Sequence, residues 1–552
     1  MSSRNNRVHS RRLMALAIAG AVATPFAFAD DAGSTAAASK TGAACDPYKD
    51  YSCLDSYLGT GFWERLTKYY KLEDGQSSAP ADPKAPPSHR VGTFPPAAQT
   101  TPPMPFTEWP YGGTQSIGAA VPSAVDSPLM VALANTSFGE WMAKNNIQTY
   151  GWIDVGANFS TNTVRGGNAP AAYDYNPNAL DLNQTVMYFE RTPDEVQKDH
   201  NDWGFRISAI YGSDYRYTTS YGLGSYQLLN RNNANGWDMP MLYADWYTPF
   251  VAEGLNIRVG RYISVPDIEA QLAPNNYMYS HSMTYTFDNY TNEGILGTLQ
   301  LTKNWILQAG VSIGTEATFQ HAYQTIPNTN PNLLYPDTTF KRDPGAKVAG
   351  TYCARWNSDD GKTDVNICED ARNSGEWGYN NLQWQGIVFY HTFNEHWHLS
   401  TEVYQEHQNN VPNLNNAYVQ GIVAAGAGTP FSPNIMPYNA PGMAYCNNGA
   451  LTCTARATGW TAYLNYSPDP MNNFSIRPEI YWDKEGQRTG TPTIYHNFAL
   501  GWQHWLSPQI EMRPEIAYYK AGIPAFNGNS NEGIAANKST QLILSGDVIW
   551  HW

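Results

Sequence analysis

The stretch ILGTLQLTKNWILQAGVSIG (295–314) decides how the chain is read. Ile295, Gly297, Leu299 and Leu301 alternate with Thr298, Gln300 and Thr302; Lys303-Asn304 then turns the chain. Trp305, Leu307, Ala309, Val311 and Ile313 alternate in turn with Gln308, Gly310, Ser312 and Gly314. Successive side chains of a strand point to opposite faces, so this is a hairpin with one apolar face and one small or polar face. A soluble sandwich would bury the apolar face and expose charge. Segments of about ten residues with this alternation, repeated around a ring, fit a barrel with lipid outside and water inside.

The pattern recurs along the chain. Ile147, Ile153, Val155 and Phe159 oppose Tyr150, Asp154 and Asn158; Trp203, Phe205, Ile207 and Ala209 oppose Arg206, Ser208 and Asp214. Trp397, Leu399, Thr401 and Val403 oppose His398, Ser400, Glu402 and Glu406. Links such as Pro249 to Gly254, Lys303-Asn304, Asn394 to His396, Pro468 to Asn473 and Leu506 to Gln509 are tight, whereas 264–292, 316–382 and 408–455 are long. Short turns on one side and long loops on the other mark an outer-membrane barrel with both termini in the periplasm. About fourteen strands are expected between 147 and 552, with twelve or sixteen if one hairpin is misread. The last segment, QLILSGDVIWHW (541–552), keeps Leu542, Leu544, Gly546, Val548, Trp550 and Trp552 in one phase. A barrel in lipid must pair its last strand with its first, because an open edge leaves backbone groups unsatisfied. An amphipathic last strand ending in an aromatic resembles the signal that barrel-assembly machinery reads, which singles out Trp550 and Trp552.

The composition agrees. Of 552 residues, 15% are charged and 13% aromatic, with Tyr (37) outnumbering Phe (19), and the mean hydropathy is −0.48. Disordered chains carry fewer aromatics, and nucleic-acid binders are basic, whereas here Lys+Arg is 34 against Asp+Glu 48. Arg4, Arg7, Arg11 and Arg12, the apolar run Leu13 to Ala23 and Ala27-Phe28-Ala29 read as a signal peptide over 1–29. Its removal takes away four arginines and no acid, so the formal net charge moves from −14 to −18. No later run approaches 18 consecutive apolar residues, so no transmembrane helix is expected. Residues 30–143 read as a partly helical, Pro-rich segment, periplasmic or lumenal, with helices within 54–73 and, capped by Asp126 or Ser127 ahead of Pro128, within 126–145. The barrel is expected over 144–552.

Six cysteines fall into three neighbouring pairs, Cys45/Cys53, Cys353/Cys368 and Cys446/Cys453. In an oxidising compartment short-loop disulfides are the plain expectation; zinc would want CxxC spacing, which is absent. The second and third pairs are expected to staple external loops.

The stretches NIRVGRYISVPDIEAQLAPNNYMYSHSMTYTFDNYTNEG (256–294) and GFRISAIYGSDYRYT (204–218), with the strand words SIRPEIYW (475–482) and EMRPEIAY (511–518), resemble the OmpL-like β-barrel porin-2 family of outer-membrane proteins. The resemblance covers roughly 147–552 and implies a barrel and a channel. It supplies no catalytic residues.

Candidate functional residues come from strand phase. The repeated RPE words put Arg477 and Glu479 on one face, and Arg513 and Glu515 on one face, opposite Ile476, Pro478 and Ile480 and opposite Met512, Pro514 and Ile516. A charge facing lipid at mid-depth costs about 2–4 kcal/mol, so these must point inward, as wall-bracing rungs or as pore lining. Arg206, Asp214, Arg216 and Arg258 fall on inward phases. Loop 264–292, with Asp267 and Glu269, is expected either to fold into the lumen as a constriction, where opposed charges set ion preference, or to stay an ordinary external loop. Catalytic signals are poor: Gly310-Val311-Ser312-Ile313-Gly314 matches GxSxG inside a strand, without the strand–turn–helix that exposes a nucleophile. His396 and His398 lack a third ligand, and Asn357 to Gly361 is an incomplete calcium pattern. No catalytic residue, metal or cofactor is assigned. The expected partners are outer-membrane lipid, barrel-assembly machinery and small hydrophilic solutes, with a homo-oligomer left open and nucleic acid excluded. A passive diffusion channel in a Gram-negative outer membrane is the leading reading. A barrel hydrolase with a rim site, and a barrel plugged by 30–143 with a binding or structural role, stand as alternatives.

Overall fold

A computed structural model describes residue 55, residues 57–74 and residues 127–552, the last range without 172, 221–223, 230–232, 265–266, 319–346, 378–380, 425–441, 448, 470, 508 and 530–532. The signal peptide, Cys45, Cys53 and the Pro-rich run lie outside the described residues, all of which belong to one compact unit.

The described chain opens with three helices, α1 (Phe62–Asp74), α2 (Pro128–Leu133) and α3 (Ser137–Lys144). As the sequence indicates, Ser127 caps α2, its side chain accepting from Met130 N, with Pro128 in the first turn. The strands follow: β1 (Ile147–Ser160), β2 (Leu180–Arg191), β3 (Asp202–Gly212), β4 (Gly236–Thr248), β5 (Leu255–Ile263), β6 (Thr291–Gln300), β7 (Trp305–Thr315), β8 (Ala349–Asn357), β9 (Thr363–Arg372), β10 (Gln383–Thr392), β11 (Trp397–Pro412), β12 (Thr452–Asp469), β13 (Asn472–Asp483), β14 (Thr493–Ser507), β15 (Ile510–Met512 with Glu515–Ala521) and β16 (Thr540–His551). Each pairs antiparallel with its sequence neighbours, and β16 pairs with β1, so the sheet has no free edge. Both pieces of β15 pair with β14 and β16 and form one interrupted strand. The barrel therefore has sixteen strands rather than fourteen.

The missing hairpin is β8–β9, inside the stretch read as the long loop 316–382. Its outward residues Tyr352, Trp356, Val365 and Ile367 do alternate, but Arg355, Asp364 and Asp370 and the Ser358–Gly361 turn read as a solvated loop. The Cys353–Cys368 disulfide is likewise not a loop staple: the two residues face one another across β8 and β9, with Cα atoms 4.2 Å apart. Cys446 lies in the β11–β12 loop and bonds to Cys453, the second residue of β12. The strand that starts near Trp203, on whose inward phase Asp214 and Arg216 are expected, stops at Gly212, because Gly212-Ser213-Asp214 is turn chemistry. Tyr215–Thr218 then forms a short helix, α4, which takes Asp214 and Arg216 off the strand.

Alternation runs around the ring, interrupted by bulges such as those at Asp154/Val155 and Ser208/Ile210. Val155, Met187, Leu242, Val259, Ile295, Val311, Ile387, Val403, Ile480, Phe498, Ile516 and Leu544 point out and stay exposed, while charged and polar residues of the other phase are buried inside. The apolar belt is thus on the outside, the inverse of a water-soluble fold, and the closed ladder satisfies the backbone groups that hydrocarbon cannot. Links 249–254, 301–304, 358–362, 393–396, 470–471 and 508–509 are tight and share one end of the barrel. Links 161–179, 213–235, 264–290, 316–348, 413–451 and 522–539 share the other. Ile147 and Trp552 are both at the short-turn end, where Gly151 and Trp552 exchange backbone hydrogen bonds of 2.9 and 2.8 Å. The Trp552 ring lies so close to Gly151 that a Cβ there would sit 2.8 Å from it.

Candidate functional site

Sixteen strands enclose a space too wide for wall side chains alone to fill. Here the β5–β6 loop, 264–290, fills much of it. Every described residue from Asp267 to Tyr290 is buried, including the single-turn helix α5 (Met283–Thr286), although a loop this polar would ordinarily sit in water.

Hydrogen bonds tie the loop to the wall on many sides. Ala273 N donates to Gln184 Oε1 on β2 (3.1 Å), and Ser264 Oγ to Asp370 Oδ2 on β9 (2.7 Å). Tyr404 on β11 donates to Thr284 O (2.6 Å), and Tyr463 on β12 to Glu269 Oε1 (2.5 Å). Thr284 N donates to Glu479 Oε1 on β13 (2.6 Å), and Ser280 N to Glu515 Oε2 on β15 (2.9 Å). Arg477 Nη1 donates to Ser280 O (2.5 Å) and Arg513 Nη1 to Asn276 O (3.0 Å). The RPE words are thus the loop's anchorage: one word offers a guanidinium to loop carbonyls and a carboxylate to loop amides at the same height. Their outward partners Ile476, Ile480 and Ile516 meet the apolar surround. The prolines behave differently. Pro514 breaks β15 in two, whereas β13 runs through Pro478 and loses only the ladder positions facing β12 there, as a residue without N–H must.

Charge inside the barrel is arranged unequally. Each inward arginine has a carboxylate: Arg206 with Glu190 (2.6 Å), Arg258 with Asp245 (2.8 Å), Arg261 with Asp238 (2.8 Å), Arg355 with Asp364 (2.5 Å), Arg488 with Glu406 (2.9 Å) and Arg513 with Asp547 (3.1 Å). Arg477 lies 3.3 Å from Glu515 and 3.6 Å from Glu269. The acids outnumber these bases. Asp154, Asp174, Asp214, Asp267, Asp288 and Glu402 are all buried, and among the described residues none forms an ion pair. Asp214 accepts instead from Gln184 Nε2 (2.9 Å), and burial pushes its carboxyl up to about 7. Burial likewise raises Glu269 to about 7 against the pull of Arg477, and lowers His281, stacked 3.9 Å from Tyr173, to about 3. Asp267 and Asp288 on the loop and Glu402 on β11 bring carboxylate oxygens within 4.8 Å of one another; they are the group whose donors could hold a cation.

Among the residues singled out by phase, Arg206, Arg258, Asp267, Glu269, Arg477, Glu479, Arg513 and Glu515 all lie inside the barrel in contact with partners there. Arg216 does not join them: it is half-buried in the β3–β4 loop and donates to Asn233 O (2.6 Å). Sequence reading missed Arg261, Arg355, Arg488, Asp288 and Glu402 as parts of this network. Glu402 and Arg261 carried a signal, lying in phase with inward neighbours; Arg355 sat in the unrecognised hairpin and Arg488 in a link. Trp550 and Trp552 face outward at the seam, where the Tyr70 ring of α1 packs 5.5 Å from Trp550.

A barrel closed strand to strand, apolar on its outer belt and charged within, defines a porin-like channel of the Gram-negative outer membrane. The chain belongs to the family described as "Putative beta-barrel porin-2, OmpL-like", whose pattern matches residues 146–551. Among solved structures it is similar to the anion-selective porin from Comamonas acidovorans, at 11% identity and a TM-score of 0.42 over 74% of this chain and 99% of that one. It is also similar to the outer-membrane channel DcaP of Acinetobacter baumannii, at 9% and 0.44 over 74% and 97%. The third is Pseudomonas putida OprB in its high-pH form, at 10% and 0.42 over 76% and 98%. No curated protein sequence matches the chain.

Proposed function

We propose that the chain conducts small hydrophilic solutes passively past loop 264–290 and prefers cations. The observation that carries this is the charge imbalance inside the barrel: every inward arginine is neutralised by a carboxylate, while Asp154, Asp174, Asp214, Asp267, Asp288 and Glu402 are left without a cation. A lumen lined by surplus carboxyls, which take on negative charge wherever they ionise and have no arginine to offset it, favours entry of positive ions and repels anions. On this reading Arg206, Asp214, Arg258, Asp267, Glu269, Arg477, Glu479, Arg513 and Glu515 line or brace the path, the passage needs no catalytic step, and Arg216 is a loop residue at its long-loop mouth. The short turns and both barrel termini face the periplasm, the long loops face outward, and Trp550 and Trp552 present the last strand to the assembly machinery.

Planar-bilayer recording across a tenfold KCl gradient tests the reading. The expected reversal potential has the sign of potassium selectivity, and it moves toward zero in Asp154→Asn/Asp214→Asn. A chloride-selective current, or a purified barrel that passes no ions at all, defeats the proposal.

A further inference from the structure

We propose that helices α1 and α3 form an interfacial foot, seated in the phospholipid leaflet that meets the short-turn end of the barrel. The helices do not enter the lumen. Met130, Leu133 and Met142 of the α2–α3 pair pack on Ile147, Phe189 and Phe205, which belong to the outward phase of β1, β2 and β3. Tyr70 of α1 packs on outward Trp550 and donates to His551 O (2.8 Å). Arg65 locks α1 to α2 through Val131 O (2.8 Å). The three helices therefore hug the outer rim at the seam of first and last strands.

Their free surface is aromatic. Trp63 is 75% exposed, and Phe138 (48%) stacks on Trp141 (47%) at 5.8 Å one turn apart. Exposed clusters of large rings on a protein surface mark a partner. Continuity identifies it: Phe205 of the helix-covered cluster touches Phe189 (5.7 Å) and stacks with Trp203 (6.2 Å), a 55% exposed residue at the short-turn rim of the lipid belt. The helix rings extend that girdle sideways. Trp rings favour the headgroup level, where one part of the ring meets lipid and the N–H meets water, and exposed Lys71 and Lys144 at the helix C-termini suit lipid phosphates.

The test uses the full mature chain in phosphatidylethanolamine/phosphatidylglycerol vesicles, with a nitroxide on Trp63→Cys or, separately, Trp141→Cys. Val259→Cys on the mid-barrel outer face and Asp199→Cys in the β2–β3 link serve as lipid and water references. Labels at 63 and 141 are expected to collide with oxygen at least several-fold more than with a water-soluble nickel chelate, as at 259 and unlike 199. Nickel accessibility like that at 199 overturns the foot while leaving the barrel intact; the same result at 259 sinks the barrel itself. Spin–spin broadening that vanishes on dilution with unlabelled protein assigns the face to a second copy and also overturns the proposal. Should Trp141→Cys not fold to a heat-modifiable barrel, Phe138→Cys carries the same readout.

Discussion

Glu402 shows what the interior of this barrel demands of one residue. It stands on β11 with one carboxylate oxygen unpartnered, beside Asp267 and Asp288 and without a cation among the described residues. Coulomb repulsion between like charges in a low-dielectric setting is expensive, so at least one member of the triad keeps its proton unless a cation supplies the missing charge. Burial already holds both loop members, Asp267 and Asp288, above the usual carboxylate range. Glu402→Gln removes one charge and adds an amide that can donate to Asp267. In chelator-treated protein the substitution is expected to raise stability by on the order of 1 kcal/mol, read as a higher melting temperature by circular dichroism in detergent. A drop in melting temperature would mean that the carboxylate is paired after all. In contrast, Arg477→Ala leaves Glu269 and Glu515 without their guanidinium, and breaking one partner from a buried pair costs about 3–5 kcal/mol; urea unfolding should register a loss of that order. Residue chemistry of this kind was half legible. Strand phase sent Arg477, Glu479, Arg513 and Glu515 inward because only two faces exist, but which acid meets which base depends on loop contacts far apart in sequence.

At the level of elements, the loop 264–290 is the part whose seating responds to pH. Glu269 faces Arg477 from β13, Tyr463 from β12 and Asp267 and Ser282 from its own loop; Asp214, which shares Gln184 with the loop backbone, faces Gln184, Ser213, Asp181 and Asp547. Both carboxyls titrate at about 7 in the folded chain, above their ordinary values of 4.5 and 3.8. The folded state therefore binds more protons than the unfolded state between those limits, so the stabilisation is fully present below about pH 4 and is lost as pH rises through about 7. Melting temperature should fall between pH 5 and pH 8, and single-channel conductance should rise as the loop seats less firmly. A conductance flat across that range would separate the loop from these two groups. The loop's inward course was an open alternative in the sequence, since nothing in its polar composition distinguishes a plug from a surface loop. The hairpins around it were legible wherever Trp, Ile, Leu and Val kept period two. They were lost at β8–β9, where Arg355, Asp364 and Asp370 serve the lumen and make the strands look solvated.

For the whole molecule, scaffold and filling are separable. The ladder runs from β1 round to β16 and back, including the Gly151–Trp552 pair, and none of its hydrogen bonds comes from the loop. The outer belt owes its stability to the surrounding hydrocarbon, so the interior is free to be polar and charged. The loop, by contrast, is held from inside, by hydrogen bonds that include those to β2, β9, β11, β12, β13 and β15 and to Tyr173 and Arg488 in the links. Replacing residues 267–288 by a short Gly-Ser linker should therefore leave a closed, heat-modifiable barrel with an unchanged far-ultraviolet spectrum. The loop's departure exposes Arg477 and Arg513 to water together with Glu479 and Glu515, whose charges then need no loop partner to be solvated. It also empties the middle of a sixteen-strand ring, which at this size leaves an aqueous channel. Single-channel conductance should rise several-fold and ion selectivity should weaken, because the surplus acids Asp267 and Asp288 leave with the loop and the remaining charges are better screened in a wider passage. A shortened chain that conducts no more than the full-length protein would place the resistance elsewhere, in the long loops at the other mouth.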